Sequence, residues 1–441
     1  MSSAALIASV LVSPLSRPDS QDMTRTAILI PLICFLSLTG QATAFPQRGE
    51  GPLTLDDCVA IALRENPVVH RSREDHRAAL ARVNQARALP QPVVSYDSDL
   101  QPKPFHFSRS GESYVGVSQT VEFPGKRTTR GRVAAAEADA VSADADVVRL
   151  DLAFSVRETF QRLLLAEERL KLAEEDRALA ERFSAQTAEK LAAGDVGRVE
   201  LLRAEVEAAR AAAAVTAAQN EVALGRARLN HWLARPADSP ISIQGRLGAP
   251  AVPRDSAPLK ARAIEDRPEV RRVQFAVSRE RLRRDQARLS YFPDVEVGFA
   301  RHRIAGEATS WDVTLAVPVP LFFWQPRKGE MAEAEAGRAA AEREAERLQS
   351  QVLLEVEEAH RNALHAEEQI ARLEREILPK AQESFEMFAF AYQEGEIEGL
   401  ELIAARRTLL EARQAHVESL YNSSIAAAAL ARATGEPIPR S

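Results

Sequence analysis

Two copies of one long pattern fill most of the chain, and this repetition constrains the fold more than any other feature. Each copy has a helical stretch, two alternating segments, a very long helical stretch, a glycine break and a further helix. Landmark residues recur 201 positions apart: Pro67 and Pro268, Pro92 and Pro293, and Gly194 and Gly395. The sequence therefore predicts a tandem repeat over 45–234 and 259–435, joined by a Pro-, Gly- and Ser-rich linker at 235–258 and followed by a tail at 436–441.

Period-two alternation of apolar and polar residues predicts two β-strands in each copy. Val295, Val297 and Phe299 alternate with polar or small residues, and Trp311 and Val313 begin a second such segment. We expect strands at about 93–100, 114–122, 293–300 and 311–318. Alternation over about nine residues is typical of a strand that crosses a bilayer with lipid on one face and water on the other.

Aromatic residues crowd one end of these strands. They are Tyr291, Phe292, Phe322, Phe323 and Trp324 in the second copy and Phe123 in the first. Aromatic rings favour the boundary between membrane and water, so we interpret them as one girdle of a transmembrane barrel in contact with outer-membrane lipid. A soluble hairpin packed on helices explains this window equally well, and the rest of the chain has to decide between them.

The long helical stretches span about 126–193 and 326–394, and each would reach roughly 100 Å at 1.5 Å per residue. Apolar positions in the second follow a 4-3 spacing: Val352, Val356, Ala359, Ala363, Ala366 and Ile370. Such a narrow seam predicts coiled-coil packing of one elongated unit. Pro379 is expected to bend the second long helix near its far end.

The N-terminus predicts export from the cytoplasm. Residues 27–38 form an apolar run behind Arg25, and Ala42-Thr43-Ala44 offers a cleavage pattern, so we expect a signal peptide over 1–44. Met23 is the more ordinary start. Ile33 before Cys34 argues against lipidation, and Cys58 then stands alone in the mature chain, which excludes an internal disulfide. Lys+Arg total 57 against 63 Asp+Glu, a net charge of -6, which argues against a nucleic-acid partner.

Four strands cannot close a barrel, because the smallest transmembrane barrels have about eight. Lipid does not tolerate an open sheet edge, so strands that cross a membrane require association of several copies. Each strand runs directly into a helix, and the barrel should therefore continue as a cylinder of helices.

At this point the sequence resembles the TolC-type outer-membrane factors, the exit ducts of tripartite efflux pumps and of some secretion systems. The residues that carry the resemblance are LTLDDCVAIALRENP at 53–67, SQTVEFPGKR at 118–127, and the break segments at 192–210 and 392–407. The resemblance implies a mostly α protein with a transmembrane β part, whose homotrimer has a 12-stranded β-barrel continued by an α-helical barrel. It also implies a periplasmic adaptor (membrane fusion) protein and an inner-membrane pump, for which we expect proton drive.

The resemblance also identifies candidate sites at the two helix breaks. Adaptor docking is expected at Gly194, Asp195 and Val196 and at Gly395, Glu396 and Ile397. The alternative is that each glycine merely ends a helix. The closed tip of the family carries two acidic positions one turn apart. Glu401 fits the first, Ala404 departs at the second, and Glu200 and Arg203 occupy the equivalent places of the first copy. Three copies of Glu401 would form a ring of carboxylates that attracts cations, and this ring is a candidate periplasmic gate. The alternative is that Glu401 is an ordinary surface glutamate.

No catalytic residue, metal site or cofactor is predicted. The histidines are scattered: His360 and His365 are five positions apart, and His70 and His76 six apart, neither a spacing that suits helical metal ligands. We therefore expect no enzyme but a passive duct for small molecules such as drugs or metal ions. It would lie in the outer membrane of a Gram-negative-type cell and extend into the periplasm. The alternatives are the duct of a type I polypeptide secretion system and, in another class, a periplasmic coiled-coil interaction protein.

Overall fold

The structure is a computed structural model that describes residues 51–99, 111–319 and 324–436. The predicted signal peptide over 1–44, the girdle residues Phe322 and Phe323, and most of the predicted tail lie outside these ranges. The described part is mostly helical, with one four-stranded sheet.

The two repeats have the same order of elements. The first consists of α1 (Leu55–Glu65), α2 (Pro67–Ala86), β1 (Val93–Asp99), β2 (Glu112–Val121), α3 (Lys126–Ala193) and α4 (Arg198–Trp232). The second consists of α5 (Ala257–Asp266), α6 (Pro268–Leu289), β3 (Val295–Ile304), β4 (Ser310–Ala316), α7 (Trp324–Arg372), a π-helical turn (Leu373–Ile377), α8 (Leu378–Glu394) and α9 (Gly399–Ala433). The predicted fold class, a tandem repeat of helix, β-hairpin, long helix and helix, is confirmed.

The strands form one antiparallel sheet in the order β1-β2-β3-β4, and the β2–β3 pair joins the two repeats. Directly paired residues share a face of a sheet. Val94 pairs with Val117, Val117 with Phe299 and Phe299 with Val313, so these exposed apolar side chains form one continuous apolar face. The opposite face is polar, as the alternation predicted.

The helices pack beside one another around α3. Near the sheet α3 lies between α2 and α6, and α7 follows α6; farther away α3 lies between α4 and α9, and α8 packs on α9. Arg272 donates to Asp144 at 3.0 Å, and Arg271 donates to Asp146 at 3.3 Å, which fixes the antiparallel register of α3 and α6. Within the described ranges, no helix has both the length and the apolar character needed to span a membrane.

The largest core lies at the level of the linker. Val156, Phe160 and Leu163 of α3 pack with Leu63 of α1 and Leu229 of α4. The linker packs over this core, and its Ile243 forms one isolated parallel β-bridge with Leu53.

The second long helix changes its hydrogen-bond pattern where a bend was predicted. The π-helical turn ends directly before α8, and Pro379 is the second residue of α8. A proline has no N–H to donate to the carbonyl four residues earlier, and its ring crowds that carbonyl. The wider π-turn is a known way to accommodate such a missing bond.

Candidate functional site at the two helix breaks

Both helix breaks are built by the same backbone motif. Gly194 and Gly395 have φ of 86° and 80°, in the left-handed region that favours glycine. The next residue donates its N–H to the carbonyl five positions earlier, at 2.9 Å in both breaks. Each glycine N–H donates to the carbonyl three positions earlier, at 3.0 and 3.3 Å. These bonds define a Schellman motif, which ends a helix without leaving its last carbonyls unpaired.

Three residues separate each glycine from the next helix. Asp195 and Glu396 are exposed at the turns, whereas Val196 and Ile397 are half-buried. Ile397 packs against a small apolar cluster behind the second turn. The first break therefore presents the carboxylate of Asp195 outward and the second presents those of Glu396 and Glu398, while each has one half-buried apolar side chain.

The small cluster, which we call the tip core, joins the two breaks. It consists of Phe183 from α3, Ala204 from α4, Tyr392 from α8, and Leu402 and Ile403 from α9. The rings of Phe183 and Tyr392 lie 5.2 Å apart between centroids, tilted by 57°. Because all four helices contribute, the two breaks are held against each other as one unit.

Tyr392 is held in the tip core by contacts to its hydroxyl group and to the face of its ring. Its hydroxyl lies 3.0 Å from the buried Thr187 Oγ1, which itself donates to the Phe183 carbonyl at 2.8 Å, so Tyr392 is the donor. Burial raises the pKa of Tyr392, and the charge of nearby Glu200 adds to this shift. The Lys190 ammonium lies 4.4 Å above the Tyr392 ring, in cation–π geometry.

The two predicted gate residues occupy different environments. Glu200 accepts a hydrogen bond at 2.9 Å from the N–H of Gly399, the first residue of α9. A carboxylate in this place satisfies an unpaired helix N–H and interacts favourably with the helix dipole. Glu401, its counterpart 201 positions later, is exposed. Its carboxylate has no ion pair within the described ranges.

A buried ionic cluster about two helical turns from the break was not predicted. Arg406 of α9 donates to Asp176 Oδ1 of α3 and to Glu207 Oε2 of α4, both at 3.0 Å. Burial raises the pKa of Asp176, although Arg406 opposes the shift. Burial also acts to raise the pKa of Glu207, but hydrogen bonds from Arg407 and the charge of Arg406 hold it below its ordinary value. The sequence signal was an arginine between Leu402 and Leu409, at 4-3 seam spacing.

At the other end of the helices, the predicted girdle residues within the described ranges lie where strands meet helices. The rings of Phe123 and Phe292 stack with centroids 4.4 Å apart. The Phe123 N–H and the Lys126 ammonium both donate to Asp294 Oδ1, at 2.7 and 2.8 Å, which ties the start of α3 to the start of β3. Tyr291 lies beside this pair in sequence, and Trp324 is the first residue of α7.

No group of three or more His, Cys, Asp or Glu residues in the described ranges is arranged to hold a metal ion. Cys58 is buried in the main core, and burial raises its thiol pKa to about 12.

The sequence pattern of outer membrane efflux proteins matches residues 59–235 and 259–436, which are the two repeats. The chain belongs to the outer membrane efflux protein family. This confirms the resemblance and the predicted function as an outer-membrane efflux channel. Members of this family are channel proteins rather than enzymes, and membership argues against the coiled-coil interaction protein.

Individual members of the efflux family show the same correspondence along nearly the whole chain. The cobalt-zinc-cadmium resistance protein CzcC of Cupriavidus metallidurans is 26% identical over 410 residues, 90% of this chain and 93% of CzcC. The outer-membrane channel OprN has a TM-score of 0.75 at 20% identity, over 87% of this chain and 90% of OprN. CusC, which forms a transmembrane channel, has a TM-score of 0.74 at 17% identity, over 87% of this chain and 92% of CusC.

The contact of Gly399 with Glu200 makes a steric prediction. A Cβ on Gly399 would lie 2.6 Å from Glu200 Oε1 and 2.9 Å from Phe183 Cζ, whereas a Cβ on Gly197 would have no atom within 4 Å. Alanine has a higher helix propensity than glycine, by up to about 1 kcal/mol. A loss of stability in the Gly399→Ala variant would therefore come from overpacking, which costs about 1–3 kcal/mol. We expect Gly399→Ala to speed hydrogen exchange around both breaks by about tenfold, and Gly197→Ala to leave it unchanged. Equal exchange in the two variants would show that the breaks are not packed together in this way.

Proposed function

We propose that three copies of this chain close into one tube that crosses the outer membrane and extends into the periplasm. The observation that carries the proposal is that the described sheet of one chain has two unpaired edges. Among the described strands β1 pairs only with β2, and β4 only with β3. An open sheet edge in lipid leaves backbone N–H and C=O groups without partners. Head-to-tail contact between copies removes both edges when the ring closes, and three copies supply the twelve strands typical of the resemblance.

The outer helices near the breaks support the same closure. Leu202 on α4 and Phe390 on α8 are exposed apolar residues on opposite sides of the chain. Leu202 lies five residues after Gly197, and Phe390 lies five residues before Gly395. Both are therefore roughly 7 Å from their turns, at the same height. In a ring, α4 of one copy would meet α8 of the next, and these two side chains would bury each other.

We propose that the two breaks form the periplasmic end, where an adaptor docks and links the duct to a proton-driven inner-membrane pump. Asp195 and Glu396 support this role because they are exposed at two structurally equivalent turns. The tip core holds these turns in a fixed relation, which suits recognition by a second protein.

The charge of the polar sheet face favours a cationic cargo. Of the strand residues that the structure describes, this face carries the carboxylates of Asp97, Asp99, Glu112, Glu296 and Asp312 and no Lys or Arg. Like-signed charges along a pore raise the local concentration of ions of opposite sign. Together with the similarity to CzcC, this supports divalent cations of the cobalt, zinc and cadmium class as the cargo.

Measurements of cellular metal accumulation and export test the cargo and the docking turns together. A strain that lacks this protein should accumulate Co²⁺, Zn²⁺ and Cd²⁺, and the wild-type protein should restore export that a protonophore abolishes. Asp195→Trp with Glu396→Trp should reach the outer membrane but fail to restore export or to crosslink to the adaptor. The control Asp238→Trp, in the exposed linker, should behave as wild type. Restored export by the double variant would exclude docking at the turns, and unchanged metal levels in the deletion strain would exclude this cargo.

The gate is tested by ion selectivity in planar bilayers. If Glu401 lines the pore in three copies, Glu401→Gln should lower the permeability ratio of K⁺ to Cl⁻ severalfold, because it removes three charges from one constriction. Glu411→Gln, an exposed position on the same helix, should leave the ratio unchanged. Equal ratios for Glu401→Gln and wild type would assign Glu401 to the outer surface.

A further inference from the structure

Basic residues recur at the strand–helix boundary in both repeats. Three pairs are related by the offset of 201 positions: Arg82 and Arg283, Arg87 and Arg288, and Arg127 and Lys328. All six side chains are exposed. We refer to these six residues as the basic collar. Its repetition in both copies is notable because the whole chain carries a net charge of -6.

The collar lies at one height, next to the ends of the strands. Arg87 follows α2 directly, Arg288 is the penultimate residue of α6, and Arg127 is the second residue of α3. The other three lie within two helical turns of the same boundary, roughly 10 Å. The headgroup layer of a bilayer is about 5–8 Å thick on each side, so arginine and lysine side chains at this height reach it.

Few acidic residues neutralise the collar. Arg283 donates to Glu280 at 2.9 Å, but Glu280 is shared with Arg279. The other five collar residues form no ion pair with any residue that the structure describes. Two carboxylates at the same boundary are already engaged, since Asp294 binds Lys126 and Glu122 binds Arg130.

A basic cavity opens between the helices at the same level. It has a volume of about 540 Å³ between α2, α3 and α6. Arg82, Arg130, Arg279 and Arg283 line it, with Glu137 as the one carboxylate of the lining and alanine and valine side chains below. Such a lining suits a ligand that has an anionic group at one end and an apolar body.

We propose that the basic collar binds the phosphate headgroups of anionic phospholipids in the membrane leaflet nearest the helices, with the cavity as the principal headgroup site. This inference rests on the proposed placement of the strands in the outer membrane. The apolar sheet face and the collar then form one continuous surface, whose upper part contacts acyl chains and whose lower part contacts headgroups. In the closed ring each copy brings its own collar to the same height, so the opposite charge has to come from another molecule, and an anionic lipid supplies it.

The test measures lipid binding on the purified full-length protein. Native mass spectrometry in a zwitterionic detergent would follow titration with dioleoylphosphatidylglycerol and, separately, with dioleoylphosphatidylethanolamine. The wild-type protein should bind the anionic lipid at least tenfold more tightly, since each cation near an anionic surface contributes about fivefold. Arg82→Gln with Arg283→Gln should weaken binding of the anionic lipid by about twenty-fivefold. The control, Arg73→Gln with Arg228→Gln, removes two exposed arginines away from the boundary and should have no effect.

Equal affinity of the wild type for the two lipids, or equal anionic-lipid affinity of the two double variants, would overturn the proposal. A change in channel ion selectivity without a change in lipid binding would place the collar in the lumen and would overturn it as well. Failure of the proposed function is separately visible, because outer-membrane location and metal export are scored with the wild-type protein alone.

Discussion

Hydrocarbon offers no hydrogen-bond partner to a backbone N–H or C=O group that the protein leaves unpaired. The rest of this structure depends on that constraint. The sheet has an apolar face suited to lipid but ends in two open edges, β1 and β4. One chain cannot remove those edges within its own four strands. The described long helices also pack in one layer, and this layer has an outer helix on each side. In the proposed membrane placement, closure therefore requires other copies, and the proposed tube of helices follows from it.

The two repeats are alike at the strand–helix boundary and in the backbone of the break turns, but they differ in the side-chain contacts near those turns. At the boundary, basic residues occur at matching positions in both copies. At the breaks, Glu200 binds the N–H of Gly399, while its counterpart Glu401 is exposed. Arg406 binds Asp176 and Glu207 across three helices, and the matching position in the first copy is Glu205. The strand–helix boundary thus has the same basic positions in both repeats, whereas near the breaks Glu200 and Arg406 make contacts between the repeats that have no counterpart at the matching positions.

Local patterns were sufficient to predict most of the fold. The offset between Gly194 and Gly395 indicated the repeat, and the alternation from Val295 to Phe299 indicated which face of β3 is apolar. The sequence did not reveal the contacts between Tyr392 and Thr187 or between Arg406 and Glu207. Those contacts join residues about 200 positions apart, and they depend on how each helix is rotated and on the register between helices. A periodic pattern defines a seam but does not state which side chains meet across it.

Disulfide crosslinking near the breaks tests most directly whether copies close head to tail. Leu202→Cys and Phe390→Cys, introduced together, should form disulfides between copies in the native membrane and yield a ladder that ends at three chains. Each single variant should remain uncrosslinked, since the native Cys58 is buried. A monomer without intermolecular disulfides, extracted from the outer membrane under the same oxidising conditions, would contradict the closed tube.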